Sequence, residues 1–375
     1  MTGKLNEIIS PKKSRLLELL CFCFGVLVLL CAAPTADAEV LKLNGSMIVS
    51  YSDRQGGVGL RNNEGNNTIK MSQFSMSLSK ELSEFTKLAT RFSTSGRSLN
   101  VTEGYLRFSG LPQDGVVTIG QFYKPLGAPI QTAGLSYPAL MFHSAAVQGV
   151  KAGFEFYPLR WELGFVNNNP LASNASSISA SSAFGRPLPS ATTPLNTNSK
   201  EGYAFFGWRD GGIWGSLDLN IGFTYGQLSQ TDRTTIDNLG IFTDLVSHKN
   251  RRVFDAAADY MKGPFRIYGE YVKAHEGNLT IVTYNIGTAY RIGKVNWIAG
   301  YDLVKNNTEF RNLDVPAAWH RRRLSFGVTV EASSRLQLRG FYEQNWENID
   351  GGSDFDNLEK GIPNDAVILQ AVLSM

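Results

Sequence analysis

Residues 215–227 read G-S-L-D-L-N-I-G-F-T-Y-G-Q. Apolar side chains occupy the odd positions from Leu217 to Tyr225, and polar or small residues occupy the even positions from Asp218 to Gly226. Because successive side chains of a strand point to opposite faces, this stretch predicts a strand with one apolar and one polar face. The alternation alone is compatible with a soluble sandwich and with an outer-membrane barrel.

The N-terminus predicts export. Basic residues precede an apolar run from Leu16 to Ala33, and Ala36-Asp37-Ala38 forms a small-x-small cleavage site. We therefore predict a signal peptide over residues 1–38 and a mature domain over residues 39–375. A retained membrane anchor is the alternative, which the short run disfavours. No later apolar run in the sequence reaches the length of a spanning helix.

Composition excludes several classes of protein. All three cysteines lie in the predicted signal peptide, so the mature chain has no thiol or disulfide. The formal charge of +3 is small and does not indicate a nucleic-acid partner. With 37 glycines, 14 tyrosines and 22 phenylalanines, the chain resembles a membrane barrel, in which every second residue of a strand is apolar.

Connection lengths distinguish the two architectures. The alternating pattern recurs in about sixteen segments, and short connections alternate along the chain with long ones. The longest predicted connections are residues 125–148 and 167–200, the latter a long external loop. A sandwich has no reason to place its long loops at one end, whereas an outer-membrane barrel has short periplasmic turns and long external loops. We therefore predict an all-β, transmembrane, antiparallel, up-and-down β-barrel of about sixteen strands.

In such a barrel the polar face lines the lumen. Basic and acidic residues on predicted inward positions are nearly balanced, which argues against a strong field along the whole pore. The predicted pore-lining residues are Arg91, Arg107, Lys151, Arg209, Arg266, Arg291, Arg321, Arg323, Arg339, Glu103, Glu155, Asp218 and Glu270. Further inward charges are predicted at Lys42, Glu162, Asp255, Asp259, Asp302 and Glu343.

The run His320-Arg321-Arg322-Arg323 lies at the external end of a predicted strand. One interpretation is a basic funnel that favours anions. The other is pairing with anionic lipopolysaccharide or with neighbouring acidic strands. Aromatic residues are predicted on outward positions near strand ends, where interfacial girdles form. They are Trp161, Trp208, Phe265, Tyr290 and Trp297.

One segment resembles a known family. The stretch G-Y-L-R-F at residues 104–108 is followed by a turn at residues 111–115 and by V-V-T-I-G-Q-F-Y-K-P-L-G at residues 116–127. Together they resemble the phosphate-selective porin O/P-like superfamily, in which such a strand leads into a long third loop. The resemblance implies a sixteen-stranded porin whose third loop, here residues 125–148, folds inward and narrows the channel.

The resemblance also implies site residues and partners. Lys124 at the base of the third loop and Tyr137 within it are constriction candidates, and porins of this family are commonly homotrimers. The third loop lacks a cluster of lysines or arginines, and the chain ends in Met375 instead of an aromatic residue. Phosphate selectivity therefore does not carry over, and only the porin class does.

The sequence thus predicts an outer-membrane porin for small hydrophilic solutes or ions, with a weak preference for anions and with lipid and lipopolysaccharide around it. The alternative is a structural conduit that encloses a partner such as an electron-transfer cytochrome. An enzyme is not predicted, because the four histidines fall in or beside predicted loops and no G-x-S-x-G motif occurs. No metal or cofactor is expected, since the mature chain has no cysteine and no closely spaced histidine pair.

Overall fold

The computed structural model of the chain describes residues 42–54, 68–95, 98–125, 146–167, 200–213, 215–228, 250–277, 279–306, 318–349, 362–363 and 365–374. The predicted signal peptide and Tyr137 lie outside these residues. Within them, no helix is long and apolar enough to cross a membrane.

The described residues form seventeen strands and one short 3-10 helix, Pro112–Asp114. The strands are β1 (Lys42–Arg54), β2 (Thr68–Ser83), β3 (Thr86–Ser95), β4 (Ser98–Leu111), β5 (Gly115–Phe122), β6 (Val147–Phe156), β7 (Leu159–Asn167), β8 (Lys200–Gly212), β9 (Gly215–Gln227), β10 (Asn250–Lys262), β11 (Phe265–Glu276), β12 (Leu279–Ile292), β13 (Val295–Asn306), β14 (Ala318–Glu331), β15 (Leu336–Ile349), β16 (Ile362–Pro363) and β17 (Ala366–Ser374).

The sheet closes on itself. Each strand from β1 to β15 pairs antiparallel with the next, and β17 pairs with both β15 and β1. The closing register runs from Ser46 opposite Ser374 to Arg54 opposite Ala366. Because β16 and β17 both pair with β15, they form one stave, and the seventeen strands make sixteen staves. The predicted up-and-down barrel is confirmed.

The two ends of the barrel differ. At one end the connections span two to four residues, as predicted for periplasmic turns. At the opposite end, which we call the external end, most connections are long; residues 96–97 and 277–278 are the short ones. β6 begins at Val147, so the third external connection ends two residues earlier than predicted.

The two faces of β9 meet different surroundings. Leu219, Ile221 and Phe223 are 40–52% exposed on the outside of the barrel, whereas Asp218 and Asn220 are buried on the inside. Large exposed apolar side chains recur on the outward positions of the other strands, for example in β4, β7, β12 and β15. A closed barrel with an apolar exterior is an outer-membrane structure, so the predicted location is confirmed.

The predicted girdle residues lie on the outward face near the periplasmic end. Phe265, Tyr290 and Trp297 stand opposite one another on three neighbouring strands. Trp161 stacks on Phe154 with ring centroids 4.4 Å apart. Such a row of aromatic rings is typical of the boundary between hydrocarbon and headgroups.

Candidate functional site: the inner wall of the barrel

Strand register places most of the predicted pore-lining residues on the inner wall. In an antiparallel pair, directly opposite residues share a face, so the buried face of β9 can be followed around the whole barrel. The residues found on this face are Arg91, Arg107, Lys151, Arg209, Arg266, Arg291, Arg323, Arg339, Glu103, Glu155, Asp218 and Glu270. For Arg321 only the backbone is described; it lies opposite Glu347.

A ladder of alternating charges crosses the inner wall near the external end. Lys124 donates to Glu201, Arg251 Nη1 lies 3.3 Å from the second oxygen of Glu201, and Arg251 Nε lies 2.9 Å from Glu276. All four side chains are at most 6% exposed. Burial lowers the pKa of the Lys124 ammonium, and the Glu201 carboxylate opposes that effect. Two cations and two carboxylates compensate one another, as buried charges require.

A glycine allows Glu201 and Arg251 to meet across the stave that lies between them. Gly226 on β9 stands opposite both Glu201 on β8 and Arg251 on β10. A Cβ at this position would lie 2.6 Å from the Lys200 carbonyl oxygen and 3.1 Å from the Glu201 Cα. Because Gly226 has no side chain, the Glu201 and Arg251 side chains meet over it.

Lys124 reaches this ladder from a distant stave. It follows β5, and its partner Glu201 is the second residue of β8, so the contact spans the width of β6 and β7. Pro125, the next residue, lines a basin on the inner wall. The chain therefore turns toward the interior where the third external connection begins.

A second network lies closer to the periplasmic end. Arg160 on β7 donates to Asp218 at 2.7 Å and to Asn220 at 2.6 Å, and Arg209 donates to Asp218 at 2.9 Å. Gly207 separates Arg160 from Asn220 in the register. A Cβ on Gly207 would overlap the Arg160 side chain. Arg160 can therefore pack against the wall because residue 207 has no side chain.

The wall formed by β12 to β15 carries a third network. Asn285 donates to Asp302 at 2.8 Å, and Arg323 donates to Asp302 at 2.7 Å and to Glu343 at 3.2 Å. All of these side chains are buried. Of the two interpretations of the basic run, pairing with acidic strands holds for Arg323. Arg322 points outward on the same strand, so the run does not form one funnel.

Two ion pairs on the inner wall expose their basic partner much more than their acidic partner. Arg91 is 50% exposed and its partner Glu103 is 18% exposed; for Arg209 and Asp218 the fractions are 50% and 12%. In each ion pair between described residues the basic side chain is the more exposed. Arginine and lysine are longer than aspartate and glutamate, so their charged groups extend farther from the wall and cover the carboxylates.

An interior basin of about 730 Å³ lies beside the second network. Its charged lining includes Arg107, Lys151, Glu155 and Glu162. Lys151 pairs with Glu162 at 3.2 Å. Arg107 and Glu155 are exposed, and no ion pair joins either of them to another described residue. Free charges of both signs therefore face the same space.

Four charged residues of these networks were not among the residues predicted on the inner wall: Arg160, Glu201, Arg251 and Glu276. Glu201 and Arg251 each follow the first residue of a strand that begins after a long connection. Counting alternate positions back from Tyr203 and Asp255 would have placed both on the inner wall. Their contact over Gly226 depends on register, which alternation within a single strand does not encode.

Of the four histidines, only His275 has a side chain among the described residues. His275 lies on the outward face and contacts the Thr280 hydroxyl at 3.0 Å. No group of three or more histidine, cysteine, aspartate or glutamate residues among the described residues could hold a metal ion.

No protein-family profile matches the sequence, and no curated protein sequence is significantly similar to it. Solved structures share its fold. The outer membrane channel DcaP of Acinetobacter baumannii aligns over 91% of this chain and 99% of its own, with 12% identity and a TM-score of 0.61. OprB of Pseudomonas putida aligns over 89% and 94%, with 9% identity and a TM-score of 0.62. OmpT of Vibrio cholerae, an outer membrane protein, aligns over 92% and 100%, with 13% identity and a TM-score of 0.57. These similarities establish the fold of outer-membrane porins and do not identify the phosphate-selective subtype.

Proposed function

We propose that this protein is an outer-membrane porin that passes small hydrophilic solutes and ions by passive diffusion, with a weak preference for anions. The observation that carries the proposal is the closed sixteen-stave barrel with charges of both signs on its inner wall. A barrel of this size leaves an aqueous channel. The structural likeness to DcaP, which is described as an outer membrane channel, supports the same function.

The weak anion preference rests on the unequal exposure within the ion pairs. A passing ion meets the half-exposed guanidinium groups of Arg91 and Arg209, while the carboxylates of Glu103 and Asp218 are largely covered. Basic side chains that line a pore favour anions. The preference is weak because each guanidinium has a carboxylate beside it.

Constriction by the third external connection belongs to the same proposal. Lys124 ties the beginning of this connection to Glu201 on the inner wall, and Pro125 already lines the interior. We assign Lys124 to the constriction on this basis; Tyr137, which lies outside the described residues, is assigned to it from its place in the sequence of the same connection. A homotrimer is the proposed assembly; one solved structure of the similar OmpT is a trimer form.

The conduit alternative has less support. The inner wall carries long side chains, such as Tyr203, Tyr268 and Phe341, which lie over glycines of the neighbouring strands. A barrel of about sixteen strands leaves an aqueous channel that is narrow for a folded partner such as a cytochrome. A porin requires only room for small solutes.

Planar lipid bilayers test the proposal. We expect purified protein to insert with stepwise conductance increments that scale with salt concentration, and deletion of residues 128–144 to enlarge the increments. A KCl gradient should give a small reversal potential of the sign that marks anion preference. Protein that inserts in folded form but never conducts would contradict the channel, and marked cation selectivity would contradict the anion preference.

A further inference from the structure

Three charged side chains of the basin on the inner wall form no ion pair with another described residue. They are Arg107, Asp114 and Glu155, and all three are exposed. The other charged side chains of the lining are paired, Lys151 with Glu162 at 3.2 Å and Arg160 with Asp218 at 2.7 Å. The basin therefore presents one free cation and two free carboxylates to a solute.

The free charges stand at opposite ends of the basin. Arg107 on β4 lies opposite Thr118 on β5, which lies opposite Lys151 on β6. Glu155 follows Lys151 on β6 toward the periplasmic end, so it lies about 13 Å along the sheet and about 10 Å across the sheet from Arg107. At these spacings the Cα atoms of Arg107 and Glu155 are about 16 Å apart.

Asp114 lies beside Glu155 at the periplasmic end. Val116 on β5 stands opposite Gly153 on β6, and both chain segments continue toward the periplasm, where they reach Asp114 and Glu155. Two exposed carboxylates thus share one edge of the basin, and the single guanidinium of Arg107 occupies the other edge. Neighbouring carboxylates in a pore favour a cation, and a basic side chain favours an anion.

The space between the two ends fits a short chain of atoms. Gly153 has no side chain, and a Cβ there would meet its nearest heavy atom at 3.4 Å, an ordinary contact distance. This position therefore leaves room above the wall. The Lys151 ammonium and the Glu162 carboxylate lie next to it and offer a donor and an acceptor to a peptide group. Val116 and Phe205 add apolar contact.

We infer that this basin binds short zwitterionic peptides, with the terminal carboxylate on Arg107 and the terminal ammonium between Asp114 and Glu155. Guanidinium groups hold carboxylates through paired, charge-assisted hydrogen bonds, and carboxylates accept hydrogen bonds from an ammonium. A free α-amino acid is too short, because one carbon atom carries both of its charged groups. Two or three extended residues span about 7–11 Å, and the Arg107 and Glu155 side chains reach across the remaining distance.

The inference names a class of solute for the channel and therefore rests on the proposed porin function. It adds a saturable site to a pore that passes other solutes by diffusion. Such peptides carry no net charge, so the weak anion preference neither attracts nor repels them as whole molecules. The free charges of the basin instead set their orientation, with the ammonium end toward the periplasm.

Titration calorimetry on the full-length folded barrel in detergent measures binding without requiring conduction. The ligand is trialanine; the comparison ligands are trialanine amide, which lacks the carboxylate, N-acetyltrialanine, which lacks the ammonium, and alanine. The site variant is R107Q/E155Q. The matched control, R291Q/E331Q, removes one charge of each sign from an ion pair of the inner wall outside the basin. Resistance of the unheated protein to unfolding in SDS verifies that each variant is folded.

We expect the wild type to bind trialanine at least tenfold more tightly than it binds either blocked peptide or alanine. The site variant should bind trialanine at least tenfold more weakly than the wild type, and the control should stay within twofold. R107Q alone should bind trialanine and its amide equally, because the carboxylate then has no partner. Equal binding of trialanine by the site variant and the wild type would overturn the inference, and so would equal binding of trialanine and alanine by the wild type.

Conductance in planar bilayers separates this result from the test of the porin function. A barrel that conducts but binds trialanine no better than alanine is a porin without the peptide site. A barrel that binds trialanine as expected but never conducts overturns the assignment of these peptides as permeating solutes.

Discussion

At the level of single residues, the buried carboxylate of Glu201 compensates two cations near the external end. It is 1% exposed and holds both Lys124 and Arg251. Replacing it with glutamine leaves one buried cation without compensation. We expect Glu201→Gln to lower the free energy of unfolding by about 3–5 kcal/mol, the usual cost of removing one partner from a buried ion pair. Urea unfolding in lipid vesicles, followed by tryptophan fluorescence, measures this loss.

Glu331 provides the control for that experiment. It pairs with Arg291 at 2.9 Å, and the two side chains are 45% and 55% exposed. Water screens such a pair, so Glu331→Gln should change stability by less than about 1 kcal/mol. Equal losses of unfolding free energy in the two variants would show that burial does not determine how much the ladder's ion pairs stabilise the barrel.

Gly207 has a steric role that a second glycine of the same strand lacks. A Cβ on Gly207 would overlap Arg160, whereas a Cβ on Gly211 would meet no atom within 4 Å. We expect Gly207→Ala to destabilise the barrel by about 1–3 kcal/mol through displacement of Arg160, and Gly211→Ala to be nearly neutral. Urea unfolding of both variants checks the difference; a neutral Gly207→Ala would mean that Arg160 has another place to lie.

At the level of strands, side-chain direction could be predicted from the sequence and partner choice could not. The alternation in β9 assigned Leu219 and Asp218 to opposite faces because direction is a local property of an extended chain. The contact of Lys124 with Glu201 joins residues 77 positions apart on non-adjacent staves. This contact depends on the closure of the barrel and on the register at Gly226. Neither can be deduced from the sequence of a single strand.

β4 allows a direct test of the two faces. Arg107 is exposed on the inner wall, and its neighbour Leu106 is 36% exposed on the outer wall. In a chain whose three native cysteines are replaced by serine, we expect Arg107→Cys to react in lipid vesicles with a charged, water-soluble thiol reagent. Leu106→Cys should be protected by lipid and should react only in denaturant. Rapid labelling of Leu106→Cys in vesicles would contradict a lipid-facing position.

At the level of the whole molecule, the closure of the barrel and the pairing of charges on its inner wall depend on different features of the sequence. Sixteen staves with β17 paired to β1 leave no free edge, so every stave has two neighbours. The number of staves and the ends that carry long connections were predictable, because both depend on spacing along the chain. From the sequence, only an approximate balance of basic and acidic residues on the inner wall could be predicted. Which residues pair depends on the register between strands and, for Lys124 with Glu201, on a contact between strands that are not adjacent.

Ion selectivity is the property of the whole molecule that this charge arrangement determines. Arg91→Gln combined with Arg209→Gln removes two half-exposed cations and leaves the covered carboxylates of Glu103 and Asp218 in place; Asp218 also keeps Arg160. We expect the reversal potential in a KCl gradient near 0.1 M to move toward cation preference by several millivolts. The shift should shrink near 1 M salt, where the screening length falls to about 3 Å. A shift toward anions, or none at 0.1 M, would show that exposed guanidinium groups do not set the selectivity of the pore.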